Sequence, residues 1–313
     1  MTIKIFPLSD PISLPLAPTI AGKVADYLQV MTQQVYGRSL HNYDNFTTDM
    51  TQDRTWHQQC QRSIKLATTS PYQYVSTIAH RLAAKTPFAP LEICQQLKPL
   101  ILATNAADDR LDLCCWYNAA GYIYFQPTTG SISRWLDYIH DLPLSVRLRA
   151  DRTAEIGIAI YAHARCCAML ELAAIEKLVT ITATWQIIAP GWSIGLADKS
   201  VPNCQVNSLT AGSVGIFEHP AQDRLIHVLM KVLDAIYEQS DSAKALPTPN
   251  WTKLTIELAE SWLEFYRHCR IFGDLKSQNP RLAVARCGLT AIARRYLQLL
   301  MENYLGIKAM SNL

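Results

Sequence analysis

One five-residue stretch of this chain has the spacing of a covalent catalyst. Gly191-Trp192-Ser193-Ile194-Gly195 fits the G-x-S-x-G elbow, in which a serine on a sharp strand-to-helix turn attacks an acyl group. The elbow needs a helix directly after it, but the chain from Ala197 to Asn203 runs into Pro202 and a polar loop. It also needs an acid and a downstream histidine; His219, His227 and His268 are available, and nothing singles one out. Such patterns arise readily by chance, so a glycine-bearing turn is the preferred reading. A serine hydrolase stands third among the functions considered.

Spacing removes most other chemistry. No two of the 12 glycines lie two residues apart, and the Gly22-Lys23 pair has Ala17 five positions before its glycine; the dinucleotide fingerprint and the G-x-x-x-x-G-K phosphate loop are both absent. No two histidines are three or four apart, which removes the common helical zinc motifs. The nine cysteines are odd in number and scattered, with adjacent pairs at Cys114-Cys115 and Cys166-Cys167 and no C-x-x-C. A reducing compartment, and hence the cytoplasm, is expected. No catalytic residue, cofactor or metal site is assigned.

The remaining candidate chemistry is arginine. Residues 251–313 hold nine basic and five acidic side chains, net +4, whereas residues 151–250 are net −3. The basic section contains Arg267, Arg270, Arg281, Arg286, Arg294 and Arg295. A guanidinium pairs with phosphate through a planar fork, so several on one module can make a nucleic-acid footprint. Charge alone fits an ordinary solvated helix surface equally.

The elements that must position these groups fall into two sets. Ile20 to Tyr36 has the apolar spacing of an amphipathic helix, and residues 38–62 read as a polar excursion. Helices are expected from near Tyr72 to Ala84, from Pro90 to about Ile101 and from Ile132 to His140. Leu111 to Phe125 alternates and reads as two strands, or as one bent at Asn118 to Gly121. These make a small α+β domain over 1–141, followed by a linker at 142–152. From 153 the pattern is helical: Thr153–Leu178, Pro220–Tyr237, Trp251–Ile271 and Pro280–Leu305 form an all-α bundle. The segment 179–215 is read as an insertion. Val179, Ile181, Ala183, Trp185 and Ile187 alternate like one face of a strand. The uncharged run Leu178 to Ala197 has the length of a membrane span, but three threonines, Pro190 and two glycines argue against one. No membrane partner is expected.

Within the helical part, Ile160-Tyr161-Ala162-His163-Ala164-Arg165 resembles the Y-A-H-A-R segment that opens the helical anticodon-binding (DALR) domain of arginyl-tRNA synthetases. Leu258-Ala259, Phe265-Tyr266 and Cys269-Arg270-Ile271 resemble that domain's L-A…F-Y-x-x-C-R-V helix. Arg281-Leu282-Ala283, Leu305-Gly306-Ile307 and Met310 follow in the order and spacing of its R-L-A, L-G-I and nearly terminal methionine. The first part resembles the same family's amino-terminal domain through Ile78-Ala79-His80-Arg81-Leu82-Ala83 and the strand pair Leu113 to Gln126. In that pair Gly121-Tyr122-Ile123-Tyr124 stands where the family has G-F-I-N, so the elbow-contacting phenylalanine and asparagine are both tyrosine here.

The resemblance implies a specific composite. The family's catalytic domain, with its H-x-G-H motif and K-M-S-K-like loop, has no counterpart between the two parts. Aminoacylation is therefore not expected, since nothing is left to cradle a triphosphate. What the resemblance leaves is tRNA binding by the helical domain, with aromatic side chains and the terminal methionine taking unpaired bases and arginines on phosphates. Carried over by position, the candidates are Phe265, Tyr266, Arg270 and Met310, with Arg281, Arg286, Arg294 and Arg295 for the backbone. Tyr161 and His163 are read as helix-packing residues, and Arg165 as a helix bridge. The leading expectation is a non-catalytic paralogue that binds tRNA-Arg-like RNA. The alternative is a repurposed interaction or assembly factor that has lost RNA and grips a protein partner through 179–215.

Overall fold

The computed structural model describes residues 19–43, 50–68, 72–107, 112–142, 156–183, 185–188, 219–240 and 248–311. The serine elbow at 191–195 and most of the segment 179–215 lie outside them. The architecture is mixed α and β, dominated by helix, with a small antiparallel sheet. The chain divides into two compact units, one of Met1–Leu66 with Gln73–Gln126 and one of Ala67–Tyr72 with Pro127–Leu313.

In the first unit, α1 (Ile20–Tyr43) buries Ile20, Val24, Tyr27, Leu28 and Met31, one face at helical spacing. The stretch read as a polar excursion is largely α2 (Met50–Arg62). Its composition is polar, with Met50, Trp56 and Cys60 its apolar side chains. Trp56 and Cys60, one turn apart, are buried, and Trp56 Nε1 donates to Thr32 Oγ1 on α1 at 2.7 Å. Four short strands follow: β1 (Ile64–Leu66), β2 (Tyr74–Ser76), β3 (Leu113–Tyr117) and β4 (Ile123–Pro127), in sheet order β1-β2-β4-β3. The helix expected from Tyr72 is therefore β2 followed by the six-residue α3 (Ile78–Ala83). Ser76 shapes that corner, its Oγ accepting the Ile78 N–H at 3.2 Å. α4 (Pro90–Ala107) runs longer than its sequence pattern. Along β4, Ile123 and Phe125 are buried while Tyr124 and Gln126 are half-buried, the alternation of a sheet covered on one face.

The second unit is built on helices. α5 (Thr129–Asp141) begins at Thr128, whose hydroxyl accepts the Ser131 N–H. It packs on the last long helix, so it belongs with the bundle rather than closing the α+β unit as the sequence suggested. α6 (Gly157–Ile175), α7 (Pro220–Ser240), α8 (Trp251–His268), the short α9 (Asp274–Gln278) and α10 (Pro280–Leu299) complete it. α6 packs against α8 and α10 with small side chains, Ala159, Ala162, Cys166 and Ala173, which let the helix axes approach. α8 answers with Leu254, Leu258, Trp262 and Phe265, all buried. α10 starts with Asn279 accepting the Leu282 N–H and Pro280 in the first turn, a pairing that sets a sharp helix start. Its last turn gives way to a π-helical turn over Leu300–Tyr304.

The apolar run after α6 is a hairpin. β5 (Thr180–Ile181) pairs antiparallel with β6 (Ile187–Ile188), and the turn is closed by the Trp185 N–H on the Thr182 carbonyl at 3.0 Å. Trp185 holds a left-handed backbone, φ 64°. The turn puts Val179 and Ile187 into one cluster with Leu170, Ile271 and Cys287, against which Ile181 and Trp185 pack. Among the described residues, α6 alone is long and apolar enough to cross a membrane by length and composition, and its inner face is bundle core.

Candidate nucleic-acid interface

The first half of α6 carries two side chains that hold other elements. His163 and Arg165 are two residues apart, so they project from nearly opposite sides of the helix. Arg165 reaches α8: its Nη2 donates to the Tyr266 hydroxyl at 2.5 Å, and its guanidinium carbon lies 5.3 Å from the Tyr266 ring centroid. Tyr266 also stacks on Trp262, one turn back on α8, with centroids 5.4 Å apart and planes 13° apart. Trp262 is fully buried and Tyr266 half-buried. The phenol is thus a fixed ring, backed by an indole and gripped by a cation.

His163 reaches the C-terminal tail. Its Nδ1 lies 2.8 Å from the Met310 carbonyl oxygen. Burial depresses the imidazole pKa to about 4, so the ring is neutral near pH 7 and Nδ1–H is the donor to that carbonyl. The tail is held at a second point by Glu302 in the π turn, whose Oε1 accepts the Ala309 N–H at 3.1 Å. Glu302 is itself the end of a ladder at four-residue spacing. Arg294 Nη2 donates to Gln298 Oε1 at 3.2 Å, and Gln298 Nε2 donates to Glu302 Oε2 at 3.3 Å. Gly306, at φ 68°, makes the reversal that brings the tail back. With its carbonyl pinned, Met310 presents its side chain to solvent, 49 % exposed.

The eight residues carried over from the resemblance separate by environment. Phe265 is core, 1 % exposed, and has no ring face to offer a base. Arg294 is also buried, in the ladder and with its guanidinium 5.9 Å from the Trp185 ring. Arg295 donates to the carbonyls of His140 and Leu142, which fastens the end of α5 to α10. Arg286 Nη1 donates to the Arg270 carbonyl at 2.6 Å and so props the loop after α8. Burial lowers the pKa of both Arg286 and Arg295, and each keeps its charge near neutrality. Phe265, Arg294 and Arg295 are thus engaged within the bundle, and the half-buried Arg286 spends its guanidinium on the Arg270 carbonyl. Arg270, Arg281 and Met310 are exposed, and Tyr266 is half-exposed. Arg267 and His268, in the last turn of α8, are also exposed.

Two residues that matter to this arrangement were read as packing or passed over. The sequence does carry a signal for Glu302: Arg294, Gln298 and Glu302 recur every four residues within an otherwise apolar stretch, which places three polar groups on one helix face. In the segment 179–215, the described hairpin is turned into the core, with Val179 and Ile187 each 6 % exposed; only Ile188 is prominent outside. No group of three or more His, Cys, Asp or Glu side chains converges as a metal site among the described residues. A scan of protein-family models, a search of curated proteins and a search of solved structures find no match to this chain.

Proposed function

We propose that the chain binds an unpaired loop of a tRNA through its second unit, as a non-catalytic relative of arginyl-tRNA synthetases. The observation that carries this reading is the fixed Tyr266 ring, backed by Trp262 and gripped by Arg165, on a unit that also exposes Arg267, Arg270 and Arg281. A Tyr266–Arg165 pair immobilised in advance gives an unpaired base a surface without the entropy cost of ordering it, and exposed arginines of the same unit supply phosphate contacts. The clamped tail adds the exposed thioether of Met310 on the other side of α6. Direct side-chain carriers of the proposal are therefore Tyr266, Arg270, Arg281 and Met310. Arg286 acts through the Arg270 loop, and Phe265, Arg294 and Arg295 hold the unit together.

Binding of labelled tRNA-Arg across a salt series tests this. The wild-type chain is expected to bind with a steep negative dependence of affinity on salt. Tyr266→Ala is expected to weaken binding by about 1–3 kcal/mol, the contribution of one base stacked on an aromatic ring. Tyr266→Phe, which keeps the ring, is expected to retain most of it. No binding of any tRNA at low salt overturns the proposal.

A further inference from the structure

Resting on the proposed tRNA binding, we infer that Lys308 is a phosphate-holding residue of the same interface, carried on the C-terminal tail next to Met310 and aimed by the same clamp. It is not among the residues carried over from the resemblance. The tail is tied down at alternate residues. The Leu305 N–H donates to the Leu300 carbonyl at 3.1 Å, the Ile307 N–H to the Met301 carbonyl at 2.8 Å, and the Ala309 N–H to Glu302 Oε1 at 3.1 Å. Exposure alternates in step: Ile307 and Ala309 are half-buried, whereas Lys308 and Met310 are exposed. A period of two is that of an extended chain, in which every second side chain leaves on the same side. Lys308 and Met310 therefore share one side of the tail, with their backbones roughly 6.6 Å apart.

Charge decides what Lys308 can hold. The sequence from Asn303 to Leu313 contains no acidic side chain. Glu302, just before it, is 7 % exposed and spends its two oxygens on the Ala309 N–H and on Gln298 Nε2. Elsewhere in this unit Lys231 and Lys276 are tied to Glu257 and Glu176. Among the described residues no carboxylate pairs with Lys308. An ammonium two residues from an exposed thioether, on one side of a tethered strand, fits a short stretch of single-stranded RNA. The thioether packs on a base face, and the ammonium meets a neighbouring phosphate. The backbone beneath both is fixed before RNA arrives, by the three N–H bonds and by His163 on the Met310 carbonyl.

Equilibrium binding of labelled tRNA-Arg to the full chain across a salt series tests this. Lys308→Met keeps the stem and removes the charge, at a position too exposed to disturb the bundle. It is expected to weaken binding about threefold to tenfold near 0.1 M salt and to flatten the logarithmic salt dependence by roughly 0.7, the value for one phosphate on a single strand. Lys308→Arg is expected to keep the wild-type slope. Met310→Ala is expected to weaken binding and leave the slope alone. Glu302→Ala, which unties Ala309, is expected to shrink the effect of Lys308→Met; Glu302→Gln, which still offers Ala309 an oxygen, is expected to restore it. A wild-type slope in Lys308→Met, where Arg270→Ala with Arg281→Ala does flatten it, overturns the inference and leaves the tRNA reading standing. An undiminished effect of Lys308→Met on the Glu302→Ala background overturns the clamp's part in aiming it. No tRNA binding by the wild-type chain overturns the reading on which both rest.

Discussion

Near the end of α10, Arg294 and Arg295 are turned inward; at its start and in the loop before it, Arg281 and Arg270 are turned out. The same contrast appears one residue apart on α8, where Phe265 is core and Tyr266 lies at the edge of the bundle. Residue type is common to both members of each pair, and burial separates them. A buried guanidinium must satisfy its donors locally, which Arg295 does on two backbone carbonyls, and it then acts as a fastener. An exposed one keeps its charge available for a partner. The lesson is that a basic, aromatic-rich helical section is two populations, and only the outer one bears on ligand binding.

Variants that exchange stability for binding would break or sharpen this division. The largest effect is expected from Phe265→Ala, about 3–5 kcal/mol of stability in chemical denaturation, as befits a fully buried aromatic. Tyr266→Ala, next to it, should cost far less stability while reducing tRNA affinity. If the two variants behaved alike, the boundary drawn between them would be wrong. The next effect is set by pH. The His163 pKa is depressed from about 6.5 unfolded to about 4 folded, so its contribution is complete above about pH 6.5 and is lost as pH falls toward 4. That loss amounts to roughly 3 kcal/mol. His163→Asn, which keeps a donor and does not titrate, should shrink the acid destabilisation, read as the difference between the two unfolding curves at pH 7 and pH 4.5.

Arg295→Ala should cost about 2–3 kcal/mol by leaving the His140 and Leu142 carbonyls without their charged donor. Among the described residues those carbonyls belong to the end of α5, so hydrogen exchange should rise there first. The smallest stability effect belongs to the outer arginines. Arg270→Ala with Arg281→Ala should alter stability by less than about 0.5 kcal/mol. On the proposed function, the same double variant should flatten the logarithmic salt dependence of tRNA binding by roughly 1.4, the value for two phosphate contacts on a single strand. An unchanged slope would mean that Arg270 and Arg281 do not touch RNA.

Much of the helical skeleton was legible because its signals are local. α8 and α10 show apolar residues at helical spacing, and Pro280 marks a start. α2 was not legible, since Met50, Trp56 and Cys60 are too few apolar side chains in thirteen to set a helical pattern. The place of the hairpin's turn was less legible, because alternation persists through Trp185, and nothing in a tryptophan announces a left-handed backbone. The candidate site was legible by residue type and not by direction. Helical spacing tells which residues share a face, but which face meets α6 or α5 depends on contacts far apart in sequence, as with Arg295 and His140. The His163–Met310 contact spans 147 positions and has no sequence pattern at all.

One feature of the chain's last helix sets where all of this ends up. The π turn at Leu300–Tyr304 closes with the Leu305 N–H on the Leu300 carbonyl, five residues back instead of four. One added residue in a helix swings everything beyond it by roughly 100°. The tail is therefore aimed by counting: take out a single residue between 300 and 304 and the remaining side chains are all still present, but the methionine points at a different part of the sky.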